Sequence, residues 1–454
     1  ALGVFNPVNT TRHEPLLLSL PPGQHLRDGA CQADEGGKVL CAPELPSLGV
    51  VGLPLAPGAA PAPRSVPLPA TIENRFYRAV IDPASGALSS LRVLPSGREL
   101  LAALVQVVAE AAGDVHSTPP RGQRKRLGVP VPAAPPTVTR GAVATIVDVP
   151  GTLLGHPARS RWTFYADSPR LDLDIELEDV PNKTLVVVET PLAGTVTESR
   201  RGIPYGFSAA AVGRRDAQLP GFADGIQPAI RWSDYTLADG GGMAILDRGL
   251  PGRELTGNTP VVFLLNAFDQ YLGYPCSWLS GAGRQHFSLA LLPHAGGFDE
   301  ADVPRAAWSF NAPPVVSPSC REAFRWPLIE TSDNVIVEAV RREADFLEVR
   351  LVECRGRAGE AKVSVHVPHT AAFRTDLVGG HPQRLVGPGT YGFPVQAQSI
   401  VTLHFRTQQP VPAIVPRLTW DDLVPSAKLP ALRLRQPDKR GQPPAGRGVL
   451  PEGT

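Results

Sequence analysis

The feature that most constrains this chain is the run from Leu171 to Asp179. Leu171, Leu173, Ile175 and Leu177 alternate there with Asp172, Asp174, Glu176 and Glu178. Successive side chains of an extended chain point to opposite faces, so this segment reads as a strand with one apolar and one acidic face. Same-face carboxylates lie roughly 6.6 Å apart at a ~3.3 Å rise, close to the separation of the paired acids in inverting glycosidases. Any half-exposed strand with alternating acids produces that spacing. Four like charges in a row are read here as a wet face and not as a catalytic pair.

A second constraint is the stretch Thr71 to Val93. Phe76 and Val80 fall on one side of an extended chain and Tyr77, Ala79 and Ile81 on or near the other, which predicts an interior strand buried on both faces. Asp82-Pro83-Ala84-Ser85-Gly86 reverses the chain, with Pro presetting φ and Gly accepting a positive one. A partner strand from Ala87 to Leu94 returns beside it. Further strands are expected at Leu100 to Ala112, Leu185 to Val188, Val261 to Leu265 and Phe287 to Leu292, and a later set at Asn334–Val340, Leu347–Val352, Lys362–Val367 and Ser399–Phe405. Fifty Pro and 44 Gly, with aromatics at 6% and charged residues at 19%, suit many short strands and turns better than long helices. The 454 residues suggest more than one domain.

The order of these segments, with the motifs around them, resembles the large β-domain and its neighbours in glycoside hydrolase family 38, the retaining α-mannosidases. The hairpin has the wording Ile72-Glu73-Asn74, Phe76-Tyr77-Arg78, Asp82-Pro83 and Gly86. In the same order stand Phe5-Asn6-Pro7, Glu44-Leu45-Pro46-Ser47-Leu48-Gly49, Tyr165 with Ser168-Pro169-Arg170-Leu171-Asp172, Arg231-Trp232 with Asp234, Ala244-Ile245-Leu246, Leu291-Leu292-Pro293-His294, and Val349-Arg350-Leu351-Val352-Glu353. The resemblance covers residues 1 to about 406 and only the C-terminal, all-β half of that family. Short apolar runs punctuated by Gly and Pro predict a small β-domain at 1–53, the proline density a linker at 54–70 and the last four strands a β-sandwich at 317–406, while the resemblance implies a mutarotase-like β-supersandwich at 71–316. The Pro- and Arg-rich tail, 407–454, is expected to be loose.

Composition excludes some functions. A formal net charge of +1 provides no field that would draw nucleic acid or an anionic membrane. The basic cluster Arg121 to Arg126 lacks interleaved aromatics and is read as a solvated loop. No run is long enough for a transmembrane helix and no signal peptide opens the chain; the missing initial Met implies a trimmed or processed product. Five Cys without metal-type spacing argue against a disulfide framework, which favours a reducing, cytoplasmic setting.

The catalytic centre that the resemblance implies, an Asp nucleophile and a zinc ion held by His and Asp, belongs to an N-terminal barrel opening on a His-x-Asp pair. No His here is followed two residues later by Asp. His366 and His369 would point to opposite faces of a strand and cannot share a metal. There is no nucleophile elbow, phosphate loop, dinucleotide fingerprint or His-Glu-x-x-His. A base assembled from His294 and Glu353 stays open, against the blander reading that both are hydrogen-bonded structural groups.

Two segments read as edges of a site on another polypeptide. Around Glu198 to Gly206, the resemblance implies a loop reaching toward the barrel's sugar pocket with an Arg, making Arg200, Arg201 and Tyr205 candidates for glycan hydroxyls; the alternative is that the arginines pair with barrel carboxylates. The segment Asn266 to Gln285 presents Tyr271, Tyr274 and Trp278, which could stack on a pyranose or, as favoured here, cover an interdomain contact. The expectation is therefore the non-catalytic half of a zinc-dependent, retaining α-mannosidase, partnered by its own barrel and a mannose-containing glycan. A free-standing carbohydrate-binding module and a mutarotase-like sugar isomerase are the alternatives.

Overall fold

The computed structural model describes residues 1–113, 123–211, 226–317, 320, 322–343 and 345–407. Strands dominate, and every named strand pair is antiparallel. The body is a sandwich of an 11-stranded sheet and a six-stranded sheet, closed at one side by a four-stranded sheet.

The alternating segment becomes the strand Leu171–Val180 in the middle of the long sheet, between His156–Tyr165 and Gly281–His294. Its four aliphatic residues are at most 3% exposed and meet Val107, Val186, Val188 and Val262 from the six-stranded sheet. Each such side chain contributes about 1.5–3 kcal/mol on burial, so the strand's register is held by its inner face.

The Thr71–Val93 hairpin forms as Tyr77–Ile81 paired with Leu88–Val93. It departs from the sequence reading in one respect. Tyr77, Ala79 and Ile81 are buried, whereas Arg78 is exposed and Val80 only half-buried, so a single face is covered. The sheet it belongs to packs on the core from one side only. The polar residues of the hairpin explain its shape: the Asn74 side chain donates to the carbonyls of Tyr165 and Ser168, both at 2.8 Å, and accepts from the amides of Phe76 and Tyr77 at 2.8 and 3.0 Å. Gly86 has φ +69°, and an added Cβ would sit 2.5 Å from Val149, so the turn needs Gly for both backbone and space.

The Pro-rich stretch 54–70 contains two short strands. Leu55–Pro57 pairs with Gln24–Leu26, and Arg64–Val66 pairs with Thr137–Arg140 at the end of the long sheet. Edge positions tolerate Pro because its missing N–H faces no partner. The N-terminal strands Leu2–Asn6 and Gly49–Leu53 pair with Val315–Ser317 and Phe324–Pro327, so the chain returns to its beginning after the sandwich is built. In the same unit Cys31 and Cys41 form a disulfide, which corrects the expectation of free thiols at this pair. The strands Cys31–Ala33 and Val39–Cys41 are antiparallel neighbours with the two cysteines directly opposed, a placement that the spacing alone did not disclose.

The basic cluster is corrected too. Arg124 is buried against the outer face of the six-stranded sheet, with Glu110 at 2.6 Å, Glu254 at 2.5 Å and the Phe263 ring beneath it. Lys125 and Arg126 are exposed, and Arg121 lies outside the described residues. The helix Val303–Asn311, absent from the sequence reading, has Pro304 in its first turn and lays Val303, Ala307 and Phe310 on the outer face of the long sheet.

A terminal sandwich follows, with a three-stranded sheet (Ile329–Thr331, Gly359–Val365, Thr390–Val395) facing a five-stranded one. Asn9 ties the N-terminal unit to it, donating to Thr331 Oγ1 at 2.6 Å and the Val335 carbonyl at 2.9 Å. The tail beyond Thr407 lies outside the described residues.

Candidate functional site

The Glu198–Gly206 segment is a strand hairpin and not a loop. Val196–Ile203 pairs with Gly206–Ala211 at the border of the long sheet, leaving Pro204-Tyr205 as a two-residue turn. Tyr205 takes φ +60° there and is 48% exposed. Strand alternation separates the two arginines. Arg200 faces the helix side, where it donates to Glu198 at 2.6 Å and Thr236 at 3.0 Å and stacks over the Phe298 ring. Arg201 is half-buried on the opposite face, level with Ser233. The hairpin end docks on the terminal sandwich, where the Phe207 amide donates to Gln398 Oε1 at 2.8 Å.

Behind Arg200 lies a buried charge cluster. Asp234 is fully buried, 3.6 Å from the Arg200 guanidinium, and meets His294 Nε2 at 2.8 Å. His294 Nδ1 faces the Gly296 carbonyl at 2.8 Å. A carbonyl only accepts, so Nδ1 is the donor in that contact. Both ring nitrogens are thus engaged. Glu353 is bound elsewhere, accepting the backbone amides of Arg355, Gly356 and Gln398 at 2.8 Å each. His294 and Glu353 therefore hold structure separately, and no base is assembled from the two.

The aromatic segment folds into the small hairpin Gln270–Tyr271 and Tyr274–Pro275, with Leu272 and Gly273 both at positive φ in its turn. Trp278 is 71% exposed, Leu272 66% and Tyr271 39%, while Tyr274 is half-buried. This knob and the Tyr205 turn lie toward the same end of the long sheet but do not adjoin. Four strand spacings of ~4.8 Å and about eight residues of ~3.3 Å rise separate them, on the order of 30 Å.

The four acids of the alternating strand are engaged to different degrees. Burial pushes Asp172 above its ordinary value, partly offset by Arg170 at 2.7 Å and the Tyr165 hydroxyl at 2.6 Å. Burial also raises Asp174, but hydrogen bonds from His286 and Ser288 outweigh it and hold the carboxyl below its ordinary value. Glu176 pairs with Arg284 at 2.5 Å, and Glu178 is exposed. Asp172, Asp174 and Glu176 line the floor of a groove of about 710 Å³ between the long sheet, the loop Asp34–Lys38 and the end of the helix. The alternation marked these acids, but nothing in the sequence indicated what would stand opposite them.

Among the described residues, no three His, Cys, Asp or Glu side chains are placed to hold a metal ion. His366 and His369 take separate partners, Glu330 at 2.6 Å and Tyr391 at 2.7 Å. The described residues do not fit the zinc centre that the resemblance implies. No helix among them is long and apolar enough to cross a membrane.

No family model matches the chain. Over 158 residues, a third of this chain, it is 29% identical to the human and mouse proteins named α-mannosidase 2C1, and the match spans 15% of each. The fold aligns with the crystal structure of an α-mannosidase from Enterococcus faecalis V583 at a TM-score of 0.67 and 13% identity, covering 90% of this chain and 56% of that one. A glycosyl hydrolase family 38 protein from the same species aligns at 0.65, covering 90% of this chain and 58% of its own. The chain therefore spans little more than half of the solved relatives. In sequence across a third of its length the chain is similar to proteins named α-mannosidase, and in fold across nine-tenths of its length it is similar to part of a solved α-mannosidase and of a solved family 38 glycosyl hydrolase.

Proposed function

We propose that this chain is the non-catalytic β-half of a retaining, zinc-dependent α-mannosidase, acting with a catalytic barrel that carries the nucleophile and the metal. The observation that carries the reading is the alignment of 90% of the chain onto 56% of an α-mannosidase, which leaves a large part of that relative without a counterpart here. The chain's part is to buttress the barrel and wall one side of the substrate cleft.

Tyr271 and Trp278, with exposed Leu272 between them in sequence, suit contact with that barrel, since a rigid aromatic knob buries large area at low entropic cost. Tyr274 braces the knob from a half-buried position. At the sheet border, Tyr205 is accessible to a glycan. Arg200 is already held by Glu198, so its role is to keep the turn in place, with Arg201 beside it on the other face. The Cys31–Cys41 bridge removes the thiol argument for a reducing, cytoplasmic setting.

The test is reconstitution. The purified chain is expected to leave p-nitrophenyl α-mannoside intact, and the protein encoded with its upstream barrel in frame is expected to hydrolyse it with retention, in a chelator-sensitive manner. Mannoside turnover by the chain alone, free of contaminating glycosidase, overturns the proposal.

A further inference from the structure

The groove over the acidic face of the long sheet has no role in the reading above, and its geometry is that of a ligand site. Its floor consists of rows of side chains in register across three strands: Arg161, Asp174 and Ser288 form one row, and Arg159, Glu176 and His286 the next. Its wall is the loop Asp34–Lys38, closed at its base by the Cys31–Cys41 bridge and tied to the floor by Glu35, which takes Arg159 at 2.6 Å and Arg161 at 2.8 Å. At the far end Arg12 donates to the carbonyls of Ser309 at 2.8 Å and Ala312 at 2.7 Å, joining the N-terminal unit to the helix. The frame is fixed before any ligand arrives.

We propose that this groove binds a short neutral oligosaccharide. Three observations support it. The volume of about 710 Å³ lies within the ~300–1,000 Å³ of small-molecule sites. Its lining carries five carboxylates and six Lys or Arg side chains, largely paired with one another, so a strongly charged ligand would meet no matching excess. Hydrogen-bonding capacity nonetheless remains. Asp174 uses one oxygen for Ser288 at 2.6 Å and His286 at 3.4 Å, and its second oxygen has no hydrogen bond from a described residue. Toward the described residues the Arg248 guanidinium donates only through Nε, to the Phe310 carbonyl at 3.0 Å, leaving its terminal nitrogens for a ligand. Exposed Lys38 stands on the loop wall.

A carboxylate oxygen beside guanidinium and ammonium donors is the combination that vicinal hydroxyls satisfy, since each hydroxyl both donates and accepts. Leu17, Pro313 and Pro314 supply an apolar part of the lining for the C–H face of a sugar ring. The preference for mannose among such sugars rests on the mannosidase reading; the affinity for a neutral saccharide rests on the groove alone.

The experiment is calorimetric titration of the purified chain with mannobiose, maltose and mannose 6-phosphate, on wild type and on Asp174→Asn, Arg248→Gln, Lys38→Gln and Trp278→Ala, each checked for native near-UV circular dichroism. Saturable mannobiose binding with a Kd near or below ~1 mM is expected, weakened about tenfold in Asp174→Asn and Arg248→Gln and unchanged in Trp278→Ala. Lys38→Gln, on an exposed side chain, weakens it without any effect on folding. Absence of saturable binding to either neutral disaccharide overturns the proposal. So does binding that survives the groove substitutions, is lost with Trp278→Ala, or favours the sugar phosphate. Maltose bound as well as mannobiose, in a groove-dependent manner, upholds the site while removing the mannose preference, and it is independent of whether the reconstituted enzyme cleaves mannosides.

Discussion

Replacing Arg253 with Met probes the corner where the chain passes between the two main sheets. It leaves the long sheet at Asp247 and enters the six-stranded sheet at Gly252. Arg253 is 1% exposed and Asp247 fully buried. The guanidinium donates to the Asp247 carboxylate, to Ser233 Oγ at 3.2 Å and to the carbonyls of Leu250 and Gly252 at 2.5 and 2.9 Å. The other Asp247 oxygen accepts the Leu250 amide at 2.7 Å. Burial pushes the Asp247 carboxyl above its ordinary value, and Arg253 offsets only part of that rise. Met keeps most of the apolar stem but strands a carboxylate without its cation. Breaking a buried pair in this way costs about 3–5 kcal/mol.

The pH dependence identifies the cause. Without Arg253 the folded pKa of Asp247 moves further above its unfolded value. The stability lost by keeping this carboxyl ionised is then greatest above the folded pKa and regained as pH falls through it. The deficit of Arg253→Met should therefore shrink between pH 7 and pH 5. Adding Asp247→Asn removes the charge while leaving an oxygen for the Leu250 amide, so the double variant should recover most of the loss. Urea unfolding followed by tryptophan fluorescence provides the midpoints, compared at fixed slope because a chain with several packed units need not unfold in one step. A single variant within ~1 kcal/mol of wild type at pH 7, or a deficit indifferent to pH, refutes the reasoning.

Asn74→Ala removes four hydrogen bonds, two that join the hairpin to the Tyr165–Ser168 turn and two to the amides of Phe76 and Tyr77, and is expected to cost about 2–4 kcal/mol in the same unfolding assay. Thiol titration of the unreduced, denatured chain should find three thiols, Cys276, Cys320 and Cys354, rising to five after reduction. Burial pushes Asp302, at the start of the helix, up to about 6 from an ordinary 3.8. Its folded pKa is raised, so its contribution to stability is fully present below pH 3.8 and is lost as pH rises to about 6. Asp302→Asn should flatten that slope by about 1 kcal/mol, the side chain being partly screened by solvent; an unchanged slope in a melting series from pH 4 to pH 7 would contradict this. Trp278→Ala should leave the stability of this chain within ~0.5 kcal/mol, because the ring touches solvent.

The class of fold was written in short-range patterns. Period-2 alternation at Leu171–Glu178 and the Pro-Gly turn at Asp82–Gly86 depend on neighbours only a few residues away, so they survive without tertiary information. What they leave undetermined is which face meets which. Tyr77–Ile81 was expected to be covered on both sides and is covered on one, because coverage depends on a sheet formed by distant residues. The helix Val303–Asn311 is nine residues long, and its apolar stripe is too short to stand out from the strand patterns around it.

The same limit governs charge. Arg121 to Arg126 looks uniform as text, yet Arg124 is drawn into the interior by Glu110 and Glu254, the latter 130 residues away. Cys31 and Cys41 are bonded because two strands place them opposite each other. By itself the sequence determined the alternation, the turns and the order of motifs in which the chain resembles the family 38 glycoside hydrolases. Only the tertiary structure decided which acids are paired, which thiols are joined and that a groove lies over the acidic face. The physical reason is that a side chain's periodicity is a property of its own backbone, whereas its partners are set by segments that loop closure brings together from far along the chain.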